Sequence, residues 1–272
     1  VKKLSKAQVR QLILPNLLFL VVFGLWQAYF LVSVIFPQTP VLYIYVLYFI
    51  INLADLASFL IFVKVGKSKL SEHGFKKPTD TKLCLTLSIF ALVFFLSIMF
   101  ISGIIWGYSL QPFPHTFIYF VFGVLNVIIV SLTTESIFRG FIFKNMVGKL
   151  GFYTSLYASS IMFSLNQIPI LTLTRISAND IITYMLTDIL PLFAAGLFLG
   201  FFFYKTGWSL IGPIIFRAGI LFYYFFSPLI ANPPWWLKLT FELAAYAFLI
   251  SLLEATVRDT KFIRNDRHLY SG

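Results

Sequence analysis

Residues 116–140 read TFIYFVFGVLNVIIVSLTTESIFRG. From Thr116 to Thr134 the stretch carries no charge, and then Glu135 and Arg139 follow four positions apart. An apolar run of about 20 residues is what a helix needs to cross the hydrocarbon core of a bilayer. Positions four apart share one helix face, so Glu135 and Arg139 can pair directly, and the span is expected to end near them at the membrane surface.

Runs of this kind recur along the whole chain. Eight spans are expected, at Leu12–Phe36, Val41–Val63, Leu83–Tyr108, Thr116–Phe138, Tyr153–Leu173, Ile181–Tyr204, Trp208–Ile230 and Leu239–Val257. Hydrophobic residues make up 59% of the chain and charged residues only 11%, whereas soluble domains carry about a quarter charged residues. Mean hydropathy is +0.88. The fold class is therefore all-α, a polytopic membrane protein forming a single transmembrane domain over residues 1–272. The ~10-residue alternating segments of a membrane β-barrel are absent. The first span is too long for a signal peptide and lacks a small-residue cleavage site.

The net charge of +11 invites a nucleic-acid reading until the charges are placed. Eighteen of the 21 basic residues lie before span one, between spans two and three, or after spans four, six and eight. Only Arg175 and Lys238 lie on the other side, and Arg217 lies within a span. The positive-inside rule puts both termini in the cytoplasm of a multi-pass cell-membrane protein, with anionic lipids as partners and no nucleic acid. The single cysteine, Cys84, excludes a disulfide framework and a thiolate metal cluster. Trp106, Tyr108, Trp208, Trp235 and Trp236 fall near span ends, where interfacial anchors sit.

The longest loop, Lys64–Lys82, reads as a mobile cytoplasmic connection. The outer loops are short, and no inverted repeat of the transporter kind is visible. The chain starts with Val1 and ends in polar sequence at Gly272, which points to a cytoplasmic tail beyond residue 257 that extends past this sequence.

Ionisable groups inside a bilayer cost about 2.5–3.5 kcal/mol each on insertion scales, so each raises a functional question. Here they are Asp55, Glu135, Asp188, Arg217 and Glu242, with Glu254 near an end. Asp55 shares a helix face with Asn52, as expected of an interhelical hydrogen bond. Arg217, in mid-span, requires a carboxylate, with Glu135 and Asp188 as its candidates. Pro15, Pro169, Pro191 and Pro213 lie in or near spans and predict kinks.

Three motifs in order carry a resemblance. The first is Thr134-Glu135-Ser136-Ile137-Phe138-Arg139. The second is Phe163-Ser164-Leu165-Asn166-Gln167. The third begins Gly207-Trp208-Ser209-Leu210-Ile211-Gly212-Pro213 and continues to Arg217 and Leu221. From about 116 to 221 the chain resembles the CAAX protease and bacteriocin-processing family of intramembrane proteases. The resemblance implies that family's helical bundle and its site. There, a Glu-Glu-x-x-x-Arg helix supplies a catalytic glutamate, a Phe-x-x-x-His helix a histidine, and a His-x-x-x-Asn helix an oxyanion-stabilising pair. Thr134 stands at the position of the water-activating glutamate, Gln167 and Arg217 stand at the histidine positions, and Leu221 stands at the asparagine position. Glu135 and Arg139 are kept. None of the four replacements acts as a base at neutral pH. The three histidines, His73, His115 and His268, lie outside every expected span. No catalytic residue, metal site or cofactor is expected, and the enzyme reading gives way to that of a pseudoprotease.

Size and content are similar to a degenerate branch of that family in Gram-positive cocci. That similarity implies a scaffold or regulator in cell-wall biogenesis. It would bind and orient a membrane-anchored peptidoglycan hydrolase of the glucosaminidase type and affect surface-protein display. The partner helix is expected to pack on small residues such as Gly103, Ala194, Ala195 and Gly196 and on an outer rim including Pro233, Pro234, Trp235 and Trp236. Two other readings stand beside it. One is a lipid-handling or transport protein using Asp55, Asp188 and Arg217. The other is an active membrane endopeptidase with an atypical site at Glu135.

Overall fold

The computed structural model describes residues 6–36, 40–110, 117–168, 178–226, 229–231 and 234–257. Its helices follow the apolar runs. They are α1 (Lys6–Ile35), α2 (Val41–Val65), α3 (Thr81–Trp106), α4 (Phe117–Leu150), α5 (Phe152–Leu165), α6 (178–205), α7 (Ile211–Phe226) and α8 (Trp235–Thr256). Six of the helical segments are long and apolar enough to cross a membrane, while α5 and α7 are shorter. The chain is a multi-pass helical membrane protein.

α4 organises the bundle. It packs against α2 and α7 along its first half and against α1 and α5 along its second. One apolar core joins α1, α2, α4 and α5 through Leu18, Trp26, Phe59, Phe138, Phe141 and Phe163. A second joins α3, α6, α7 and α8 through Phe95, Phe198, Phe202, Phe216 and Tyr246. Apolar side chains such as Ile89, Phe100, Ile104 and Ile128 point outward, as they do where lipid rather than water is the solvent.

α4 runs well past the span expected to end at Phe138. Residues Ser136–Phe143 are π-helical, and the helix resumes over Lys144–Leu150. Glu135 and Arg139 therefore lie inside the protein, 0% and 1% exposed, and not at an exposed helix end. The reason is visible in the sequence: Phe138, Phe141, Ile142 and Phe143 continue the apolar run across the two charges. Arg139 is thereby buried beneath the lysine-rich connection, next to Gly140, and is not one of its exposed cations. The helix stops at Gly151, whose φ of +76° turns the chain straight into α5. α5 ends at Leu165, short of the expected Leu173; residues 169–177, with Pro169 and Arg175, lie outside the described residues.

The connection between α2 and α3 is ordered, contrary to its reading as mobile. Leu70–His73 form a 3₁₀ turn. The amide of Leu210 donates to the Gly74 carbonyl at 3.0 Å, the amide of Thr79 to Thr206 O at 3.2 Å, and the Ser209 hydroxyl to Lys76 O at 2.8 Å. A link whose own polar groups are so paired behaves as a cap on the bundle. Asp80 then starts α3 by accepting the Leu83 amide at 2.9 Å.

At the opposite end, β1 (Tyr108–Leu110) pairs antiparallel with β2 (Leu229–Ala231), Ser109 facing Ile230. This ties the α3–α4 connection to the α7–α8 connection. Trp208 is no interfacial anchor: it is buried against Phe143, Phe203 and Tyr204. Nor are the small residues of α6 open to a partner. Gly196 and Gly200 face Ser160 and Leu156 of α5, and a Cβ on Gly196 would come within 2.8 Å of Ser160 Cβ. The small-xxx-small stripe is used up by internal packing, and Gly103 and Ala195 are buried as well.

Candidate functional site

The three sequence motifs converge on one place. Glu135 ends the α-helical half of α4, and Arg139 lies one turn on in the π-helical half. Arg139 Nε is 3.4 Å from Glu135 Oε2, and Arg217 Nε, from α7, is 3.9 Å from Glu135 Oε1. The carboxylate thus lies between two guanidinium groups. Both cations also stack on Phe163 of α5, with Cζ 4.3 Å (Arg139) and 4.8 Å (Arg217) from its ring centroid. Arg139 Nη2 donates to the Gly196 carbonyl of α6 at 3.4 Å. Four helices, α4 to α7, are held by this cluster. Cation–π contacts gain strength when desolvated, reaching about 2 kcal/mol, and breaking one partner out of a buried ion pair costs about 3–5 kcal/mol. π-helical turns recur at functional positions, and this one carries Arg139 of the first motif and Gly140 after it.

Beside the cluster is a cavity of about 330 Å³. Gln167, Arg217 and Leu221 of the second and third motifs line it; Thr134 of the first does not. Asp188, Lys238, Glu242 and Tyr224 complete the polar part of its wall, and Phe95, Pro191, Leu199 and Phe216 belong to the apolar part.

Of Arg217's two expected partners, the structure selects Glu135. Asp188 belongs to a second π-helical turn, Met185–Ile189, just before Pro191. Its Oδ2 accepts the Thr187 hydroxyl at 2.6 Å, so it shares the cavity with Arg217 and not an ion pair. Asp55 stands apart from this group altogether. Its Oδ2 accepts the Trp26 indole N–H of α1 at 3.0 Å, and Asn52 donates to the Tyr48 carbonyl of its own helix at 2.8 Å. Trp26 carried a signal in the sequence, because a tryptophan in mid-span is out of place among residues that favour the interface.

His73 is the other residue that the sequence left in a loop. It is buried, with Nδ1 3.0 Å from the Gly140 carbonyl and Nε2 2.6 Å from the Ser68 hydroxyl. A carbonyl only accepts, so Nδ1 carries the proton and Nε2 accepts from Ser68. Burial lowers the imidazole's pKa from its ordinary 6.5 and outweighs the bond to Gly140. Gly140 is required here, since any Cβ would overlap the His73 carbonyl oxygen. The connection between α2 and α3 is thus fastened to the helix turn next to Arg139. His115 and His268 lie outside the described residues.

The family model of the type II CAAX prenyl endopeptidase Rce1-like proteins matches residues 114–223. Over this segment the chain is similar to that family of intramembrane proteases. The matched segment runs from just before α4 almost to the end of α7, and contains Glu135, Arg139, Phe163, Gln167, Gly196, Arg217 and Leu221. No curated protein and no solved structure gives a significant match.

Proposed function

We propose that the protein is a catalytically inactive relative of these proteases and works as a membrane scaffold or regulator. The observation that carries this reading is the Glu135–Arg139–Arg217 cluster. Hydrolysis in the family manner needs a carboxylate and an imidazole to take a proton from water. Around Glu135 the neighbours are guanidinium groups, which stay protonated and accept nothing, and the cavity wall adds the amide of Gln167 and the alkyl chain of Leu221. The same groups bind α4–α7 together, so the former catalytic positions act as structure.

The cell-wall role rests on the resemblance to the degenerate branch represented by the staphylococcal LyrA (SpdC) protein. In this reading the protein binds and orients a membrane-anchored peptidoglycan hydrolase of the glucosaminidase type and influences surface-protein display. The partner contacts the lipid-facing side of the bundle and the end where Pro234 and Trp236 stand exposed. Pro233 lies outside the described residues. Purification from native membranes in mild detergent, followed by mass spectrometry, tests the partner. A stoichiometric single-span hydrolase is expected; recovery without any protein partner overturns the scaffold role. Incubation of the purified protein with prenylated and transmembrane peptides tests the chemistry. No cleavage is expected, and turnover lost in Glu135→Gln would establish an endopeptidase.

A further inference from the structure

The cavity holds charges that the folded protein leaves unused. Glu242 of α8 is only 6% exposed and lines it. Among the described residues it accepts no hydrogen bond and forms no salt bridge; Lys238, one turn earlier on α8, lines the same wall and is its one cationic influence there, against two carboxylates. One lysine beside two carboxylates leaves the wall short of a positive charge, and a cation supplied from outside provides it. Asp188 adds a second carboxylate to the wall, and Tyr48, Tyr224, Tyr246 and Phe95 surround the same space with aromatic rings. Carboxylates among aromatic faces are the surroundings that ammonium groups select. Arg217 is the complement. Its one salt bridge among the described residues is to Glu135, met through Nε at 3.9 Å and already engaged by Arg139. Its guanidinium fork donates no hydrogen bond within the described residues, and the side chain keeps 13% exposure. An anionic oxygen group is the acceptor that such a fork fits. Leu192, Ala195, Leu199, Phe216 and Ile220 supply an apolar wall beside these groups.

The geometry points to a binding site for an amphiphile whose head joins a primary ammonium to a phosphate, the ammonium on Glu242 and Asp188 and the phosphate on Arg217. This chemistry occurs in a zwitterionic phospholipid and in its free headgroup. The site is independent of the scaffold reading, because it needs no partner protein.

The test uses the purified full chain, delipidated and placed in nanodiscs. Native mass spectrometry compares retention of phosphatidylethanolamine with that of phosphatidylglycerol, and calorimetry measures soluble phosphoethanolamine. At least a tenfold preference for phosphatidylethanolamine is expected. It is lost in Glu242→Gln and in Leu221→Trp, which fills the wall without removing a charge, while both variants keep the parent melting temperature. Binding of the lipid alone assigns a membrane ligand; equal binding of phosphoethanolamine assigns a soluble one, and both support the site. Headgroup-independent retention, or a preference unchanged in both variants, overturns it. If Glu242→Gln melts early, Leu221→Trp decides alone.

Discussion

Two glycines in one helix offer a controlled test of how the cap is fastened. Gly140 and Gly148 both belong to α4. At Gly148 an added Cβ meets nothing within 4 Å, whereas at Gly140 it overlaps the His73 carbonyl oxygen. Gly148→Ala is expected to stabilise by about 0.4–1 kcal/mol through reduced freedom of the unfolded chain. Gly140→Ala gains a similar amount, about 1 kcal/mol, from helix propensity. Against it stands the displaced turn. The bonds from His73 Nδ1 to Gly140 O and from Leu210 N to Gly74 O are worth about 0.5–1.5 kcal/mol each, and a buried polar group left unsatisfied costs about 1–3 kcal/mol more. The net loss is about 2 kcal/mol, and the two alanines should differ by about 3 kcal/mol. At about 2–4 °C per kcal/mol for chains somewhat shorter than this, that is a separation of roughly 6–12 °C. Cys84 makes the assay simple: it is the single cysteine and is 1% exposed, so a thiol-reactive fluorophore in detergent reports unfolding of the core around it. Gly140→Ala melting at or above Gly148→Ala would refute the docked cap.

Three further outcomes follow from other contacts. Glu135→Gln leaves Arg139 and Arg217 without their carboxylate and should cost about 3–5 kcal/mol; adding Arg217→Leu should recover part of the loss, and strictly additive melting shifts would count against the cluster. Trp26→Phe strands the buried Asp55 carboxyl and should cost about 1–3 kcal/mol, with a positive coupling to Asp55→Leu in a double-mutant cycle of thermal melts. Stability should also depend on His73. Its folded-state pKa is lowered, so its contribution is complete above about pH 6.5 and falls as the pH drops from there through the lowered value, because the unfolded chain takes up the proton first. Lys144 reinforces the lowering and Glu72 opposes it. Melting curves from pH 8 to 5 should show this loss, and His73→Gln should flatten it.

The helices were legible because hydrophobic runs of membrane length need no tertiary information. Their ends were less so. Glu135 and Arg139 look like a terminus when charge is taken as exposure, and only their mutual pairing with Arg217 lets α4 continue across them. The meeting of Glu135 with Arg217 was foreseen from the cost of a lone arginine, but the choice between Glu135 and Asp188 depended on how α6 bulges before Pro191. The His73 latch was hidden for a different reason. It is made by main-chain carbonyls and a glycine, and a loop rich in lysine gives no sign that its backbone is committed. The Gly196 stripe shows the reverse error: small residues announce close helix packing, yet the sequence does not say which helix comes close.

The pairing of β1 with β2 has an evolutionary consequence. Hydrogen bonds between main chains are indifferent to side-chain identity, with proline the main exception. Residues 108–110 and 229–231 are therefore free to drift in sequence while the link between their two loops persists. Relatives of this protein would be expected to keep that tie at the far end of the bundle with no shared motif to mark it. It would be recognised by superposing folds and missed by aligning letters.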